Sequence, residues 1–215
     1  MHRFLPSSPG KVLEIGCGEG TFAESIADAK ERWGVEPYPE AAAIARSRLD
    51  RALNATFDEA VADLPVRYFD TIVCNDVIEH VPDHDRFLCK IKDLLTDGGS
   101  LVGSIPNIRY YRTLFDLVFA KDWRYADAGI LDRTHLRFFT EKSLRGTLRA
   151  HGFGIEVLRG INGGLTRKAP VSGAAACAAI VVSLGYFRDI WHLQFGFRAR
   201  LEQDCRGPRP SGAAS

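Results

Sequence analysis

The sequence lacks most of the features that would place it in a specialised class. Its five cysteines (Cys17, Cys74, Cys89, Cys177, Cys205) are odd in number, far apart and never in a CxxC pair. That argues against a disulfide framework or a thiolate zinc site and favours a reducing, cytoplasmic setting. There is no excess of either charge: 28 basic residues face 27 acidic ones, net +1, so no basic footprint for nucleic acid exists. No apolar h-region opens the chain, and no secretory signal is expected. The longest apolar stretch, Val171 to Phe187, is short of the roughly 20 residues that span a bilayer and is rich in Ala, Gly and Ser. It is expected to be a buried or interfacial helix. The tail 205–215 reads as disordered, and no repeat is visible.

What is present is an alternation of strands and helices. "KVLEIG" (Lys11–Gly16) is a continuous apolar run, as a strand buried on both faces requires. "TFAESIADAK" reads as a helix, "RWGVEP" as a second strand and "PEAAAIARSRL" as a second helix. "LNATF" is a weak third strand and "FDTIVCN" (Phe69–Asn75) a clear fourth. "DHDRFLCKIKDLL" is an amphipathic helix with its glycine stop in "TDGG", and "SLVGSIP" is the fifth strand. Thr140 caps the helix "EKSLRGTLRAHG", and "GFGIEVLRG" and "WHLQFGFRAR" close the series. The expectation is an α/β fold with a doubly wound, mostly parallel seven-stranded sheet, a single domain over 1–204. It carries an aromatic and charged lid over 106–140 and a helical insertion over 165–190.

The turn "VLEIGCGEG" (Val12–Gly20) separates nucleotide ligands. A dinucleotide turn G-x-G-x-x-G counted from Gly16 needs glycine at position 21, which is Thr21; here the third glycine comes early, at Gly20. No recognisable Tyr-x-x-x-Lys pair supports a nicotinamide enzyme either. Glu14 precedes the glycines and can order the turn's amides, and Glu36 ends the second strand where a carboxylate can accept ribose hydroxyls.

With these motifs the chain resembles the class I S-adenosylmethionine-dependent methyltransferases over about Val12 to Arg200. "VLEIGCGEG" matches their first motif, "VEP" the acidic second-strand end, "FDTIVCNDVIEHVPD" the strand-four segment and "LLTDGGSLVGSIPN" the turn into strand five. The resemblance implies S-adenosylmethionine as cofactor. Gly16, Cys17, Gly18, Glu19 and Gly20 would lie along its methionine part, Glu36 on the ribose, Asp58 near the adenine edge, and Asn75 with Asp76 under the sulfonium. The block from Ser104 to Leu144 is similar to a subgroup associated with bacterial glycan and surface-polysaccharide synthesis, which implies a sugar hydroxyl as acceptor. Tyr110, Tyr111, Trp123 and Tyr125 are then candidate stacking surfaces.

Methyl transfer is an in-line displacement that positioning can largely achieve, but an alcohol acceptor benefits from a base. His135 in "GILDRTHLRFFT" is the expected base, oriented by Asp132, with His80 in "VIEHVPD" as the other candidate. Methyltransferases of ubiquinone biosynthesis carry a similar acidic-x-x-Glu-His run, which some use for a divalent cation; its counterpart here is Asp76, Glu79 and His80. No metal ligand is assigned. Two alternatives stay open: a module that binds the cofactor without turnover, and a non-sugar acceptor such as a quinone-type phenol. "CNDV" after strand four departs from the Pro-Pro-aromatic pattern of amino-methylating DNA enzymes. The segment 171–191, ending in Tyr186, Phe187, Arg188 and Trp191, would carry any peripheral membrane contact, and a homodimer is left open.

Overall fold

Seven strands form one sheet in the order β3-β2-β1-β4-β5-β7-β6. The computed structural model describes residues 1–164, 174, 176–178, 181–183 and 185–202. The parallel half is β1 (Gly10–Ile15), β2 (Ala29–Glu36), β3 (Arg51–Asn54), β4 (Phe69–Asn75) and β5 (Leu95–Pro106). β6 (Phe153–Ile161) and β7 (Gln194–Leu201) complete it, with β7 antiparallel to both neighbours. Helices α1 (Thr21–Glu24), α2 (Pro39–Arg48), α3 (Phe57–Ala60), α4 (His84–Leu94), α5 (Tyr111–Phe115) and α6 (Glu141–Ala150) connect them.

The topology fixes where a ligand goes. From β1 the chain steps outward through β2 and β3, then returns to place β4 on the other side of β1. The connections leaving β1 and β4 therefore diverge, and a crevice opens beyond the strands' carboxyl ends. Gly16 and Asn75 sit at those ends. Val12, Leu13, Ile72 and Val73 are wholly buried beneath them, as a strand covered on both faces demands.

Four local expectations move. α1 is one turn, not ten residues: the Arg32 guanidinium takes the carbonyls of Ile26 and Ala27, and Ala29 already pairs with Gly10. The third strand lies two residues earlier than "LNATF". Thr56 instead opens α3 in a capping box with Glu59, and the Asn54 side chain ties β3 to the backbone of Glu36 and Pro37. "TDGG" does not cap α4, because Leu95 follows the helix directly in extended backbone opposite Phe69. Gly98, at φ +71°, lies in the irregular stretch before Ser100 rejoins the ladder at Thr71. Finally, β7 starts at Gln194, since Arg188–Trp191 forms a short 3-10 turn. α4 and α6 stand as expected, capped by Asp83 and Thr140.

The lid, Asn107–Phe139, is anchored at both ends by a bridge between those two residues. It contains α5, a π-helical turn over Asp116–Ala120, and otherwise irregular backbone. Its small core of Tyr110, Tyr111 and Ile130 packs on Ala176 and Ile190. Of the described residues of the Ala-rich insertion, 174, 176–178, 181 and 182 are helical, and 183 and 185–187 lie in turns. Among the described residues no helix is long and apolar enough to cross a membrane. The tail 205–215 lies outside the described residues.

Candidate active site

Glu14 organises the end of β1. It is almost fully buried, its Oε2 accepts the Ala23 amide at 3.0 Å, and the Asn75 side chain donates to it. One carboxylate thus ties β1 to the start of α1 and the end of β4. Burial pushes its pKa up to about 7, since a charge removed from water is penalised. Above it, Gly16, Gly18 and Gly20 all have positive φ, +68°, +54° and +80°, a conformation that costs other residues a steric penalty. A Cβ on Gly16 would also lie 2.9 Å from Val77 Cγ2. Glu36 closes the turn from β2: Oε2 accepts the Gly18 amide at 2.8 Å and Oε1 the Tyr38 amide at 3.0 Å. Each oxygen keeps a second lone pair for a ligand hydroxyl.

A cavity of about 560 Å³ lies over this turn, lined by Gly16, Glu36, Asp58, Asn75, Asp76 and His80 among others. Of the turn's residues Gly16 alone lines it; Gly18, whose amide is taken by Glu36, and Cys17, Glu19 and Gly20 do not. The Cys17 side chain is buried with Ala23, Ala45 and Leu49, its thiol pushed up to about 12 chiefly by burial. Glu19 faces outward beside Arg48, and the Gly20 amide returns to the Cys17 carbonyl. These three shape the turn from behind. Asp58 stands at the rim in the first turn of α3, exposed and paired with Lys90, whose ammonium holds its carboxyl below the usual range.

The second half of the site follows β4. Asp76, at φ +52°, points its carboxylate at the Ser104 hydroxyl (3.0 Å) and the Gln194 amide (2.8 Å). A 3-10 turn, Ile78–His80, then sends Glu79 inward and His80 toward the lid. Glu79 is 1% exposed, neither carboxylate oxygen has a hydrogen-bond partner, and burial raises its pKa to about 8. Its carbonyl accepts the amides of Leu136 and Arg137, pinning the lid there. A cavity of about 250 Å³ joins Asp76, Glu79, His80, Asp132 and His135, sharing Asp76 and His80 with the larger one.

Asp132 does not orient His135. The His135 Nδ1 bonds the Ile130 carbonyl at 2.9 Å, while the Asp132 carboxylate is taken by the Thr134 amide and hydroxyl. Those donors are two residues away on the same turn, whereas the imidazole has turned inward. Asp132 acts one step along: Thr134 donates its hydroxyl to Asp132 and offers that oxygen, with its carbonyl, to His80 Nδ1 at 3.0 and 3.2 Å. The rings of His80 and His135 meet edge to face at 4.7 Å.

A methyltransferase-domain family profile matches residues 1–157. The chain belongs to that methyltransferase family. A protein named ubiquinone biosynthesis O-methyltransferase from Paraburkholderia phymatum is 31% identical over 162 residues, 70% of this chain and 67% of the relative. The mouse mitochondrial protein of that name is 28% identical over 173 residues, 74% of this chain and 45% of its own length; the chain spans about half the length of most such relatives. An S-adenosylmethionine-dependent methyltransferase from Archaeoglobus fulgidus shares the fold, with TM-score 0.62 and 16% identity over 93% of this chain and 89% of that one. S-adenosylmethionine is the cofactor of this methyltransferase fold.

Two features of the methyltransferase escaped the sequence. Tyr110 and Tyr111 are not stacking surfaces: they are 5% and 3% exposed and pack in the lid's own core. Trp123 meets Phe138 edge-on, and Tyr125 alone of the four is exposed. Conversely, Tyr38, Phe57 and Val77 line the cavity over the glycine turn. Tyr38 follows Glu36 by two residues, a signal that was available; the contact of Asp76 with Gln194 spans 118 residues and gave none.

Proposed function

We propose that the chain transfers the methyl group of S-adenosylmethionine to a hydroxyl of a small molecule. The observation that carries this is that the two cavities adjoin. One sits on the glycine turn and Glu36; the other holds two imidazoles and a buried carboxylate, and Asp76 with His80 form their common wall. In this reading Gly16 and Glu36 hold the cofactor, Asn75 and Asp76 sit beneath its sulfonium, Asp58 marks the adenine end, and Glu14, Cys17, Gly18, Glu19 and Gly20 support the turn.

The acceptor hydroxyl then lies between sulfonium and lid, where His135 takes its proton. The His135 Nδ1 faces a carbonyl, which only accepts, so Nδ1 carries the proton and Nε2 is the free base. His80 is the second polar group of that cavity, steadied by Thr134 and Asp132. The relatives named for ubiquinone biosynthesis favour a phenol of the quinone type as acceptor. A sugar hydroxyl has less support once Tyr110 and Tyr111 are seen to be core residues.

The test is calorimetric titration with S-adenosylhomocysteine beside NAD, followed by turnover with a simple phenol and with a methyl glycoside. Micromolar binding of the first ligand alone is expected, and methyl transfer to the phenol. Preference for NAD would overturn the cofactor assignment; binding without turnover of any acceptor would leave a cofactor-binding module. The exposed side chains of Val181, Val182 and Tyr186, with Leu117, Val118 and Phe119 of the lid, support a peripheral membrane contact. Liposome flotation at low salt tests it, and sedimentation tests the alternative that a second copy covers them.

A further inference from the structure

The cavity that holds the two imidazoles leaves little room beyond a reacting ring. It encloses about 250 Å³, whereas sites for whole small molecules run to roughly 300–1,000 Å³. Next to it lies a third cavity, of about 710 Å³, between α5 and the backbone that leaves β6 at Asn162. Ile130 and Leu193 wall both. A molecule whose hydroxyl faces His135 therefore has this space for the part that does not react.

The third cavity is charged. Arg112, Asp116, Asp122 and Arg124 line it. Asp122 and Arg124 satisfy each other, at 2.6 Å. Arg112 and Asp116 stand four residues apart, from α5 into the π-helical turn, a spacing at which helical side chains commonly pair. Here they do not: among the described residues neither side chain has a hydrogen bond or an ion pair. A hydrocarbon substituent would strip water from these charges and return nothing to them. A lone anion would meet Asp116 beside its guanidinium, and a lone cation would meet Arg112. A group carrying both signs gives each side chain its opposite.

We propose that this cavity holds the non-reacting end of the acceptor and that this end is zwitterionic, with its carboxylate on Arg112 and its ammonium on Asp116, as in a phenolic amino acid. The guanidinium presents a planar pair of donors that matches a carboxylate. The Asp116 carboxylate only accepts, as an ammonium requires. The inference rests on the phenol reading of the acceptor and narrows it: the substituent far from the reacting hydroxyl is charged, not apolar.

The experiment is calorimetric titration, with S-adenosylhomocysteine present, of four phenols of similar size: para-ethylphenol, tyramine, para-hydroxyphenylpropanoate and tyrosine. They are uncharged, cationic, anionic and zwitterionic in turn. Tyrosine should bind on the order of tenfold more tightly than para-ethylphenol, two exposed ion pairs contributing a few-fold each. The two singly charged phenols should fall between. Arg112→Gln should lower tyrosine to the level of tyramine, and Asp116→Asn to that of the propanoate. Circular dichroism checks that the variants fold. If either does not, the tyrosine advantage in the unaltered protein decides the same point, since molar salt should shrink it severalfold. Tightest binding by para-ethylphenol overturns the proposal. So does a singly charged phenol that outbinds tyrosine, a tyrosine advantage that survives both substitutions or molar salt, or binding by none of the four. The titration needs no methyl transfer, so a failure of turnover leaves it readable. Affinity for S-adenosylhomocysteine on the same sample reports separately on the cofactor reading.

Discussion

The two walls of the site satisfy their buried carboxylates in opposite ways. On the β1–β2 side, Glu14 and Glu36 are each met by backbone amides, at Ala23, Gly18 and Tyr38. On the lid side Glu79 is as deeply buried and is met by none. The first wall is complete from the chain's own groups, so its geometry is set before a ligand arrives. The second has its backbone in place, through Leu136 and Arg137 on the Glu79 carbonyl, but its side chains point into a small polar cavity and toward one another. In the proposed reading, specific chemistry belongs on the second wall, and placement of the cofactor on the first.

The largest effect expected from breaking this contrast is at His135. Asparagine there keeps the bond to Ile130 and removes Nε2, so turnover with the phenol acceptor should fall by about 10²–10⁴, the range for loss of a general base. Affinity for S-adenosylhomocysteine should be unchanged, because His135 lies in the smaller cavity only. A parallel loss of cofactor binding would show that the walls are not separable.

Glu36→Ala gives the converse. It removes the acceptor for two backbone amides and the group assigned to the ribose. Charge-assisted bonds contribute about 1.5–3 kcal/mol, so cofactor affinity should drop on the order of a hundredfold. Equal affinity in the variant would remove Glu36 from the cofactor site.

The difference between the walls also explains what could be read in advance. The cofactor wall is built from local signals. Glycines at positive φ, an apolar strand before them and an acid at the next strand's end all lie within Gly10–Glu36, and each residue type is dictated by backbone geometry. The acceptor wall joins residues 54 apart (His80 to Thr134) and 118 apart (Asp76 to Gln194), which no spacing rule connects. His135 stands out in its segment, but the partner of its Nδ1 does not. The carbonyl of Ile130 has no signature, and Asp132 is the nearer carboxylate in sequence while serving Thr134. Likewise α1 looked longer than it is because helix propensity is weak beside the pairing of Ala29 with Gly10. The aromatic residues of the lid were visible, but which of them face outward was decided by packing on Ala176 and Ile190.

A third test sharpens the account of Glu14. Its carboxyl titrates near pH 4.5 unfolded and near 7 in the folded chain, so between those values the folded state holds more proton. Stability contributed by this group is full below about pH 4.5, falls as pH rises through about 7, and is level above. With one pKa unit equal to about 1.4 kcal/mol, the loss is up to about 3 kcal/mol. Glu14→Gln retains an acceptor for Ala23 and does not titrate, so the stability difference between variant and parent, from urea melts at a series of pH values, should widen in the variant's favour from pH 4.5 to 7. Parallel curves would mean that the Glu14 site is wetter than its burial suggests.

The smallest effect is expected at Asp132, and it separates a positioning residue from a catalytic one. Its carboxylate touches Thr134 alone among the groups near the imidazoles. Removing it frees the Thr134 hydroxyl without changing either ring's free nitrogen. Asp132→Ala should lower kcat severalfold, leave KM for S-adenosylmethionine in place, and be matched by Thr134→Val, since both break the same support to His80. A loss as deep as that of His135→Asn would make the carboxylate itself part of the reaction. No loss at all would mean that the Thr134 carbonyl suffices to hold the His80 ring, and that the lid's order comes from its backbone bonds to Glu79 rather than from this side-chain relay.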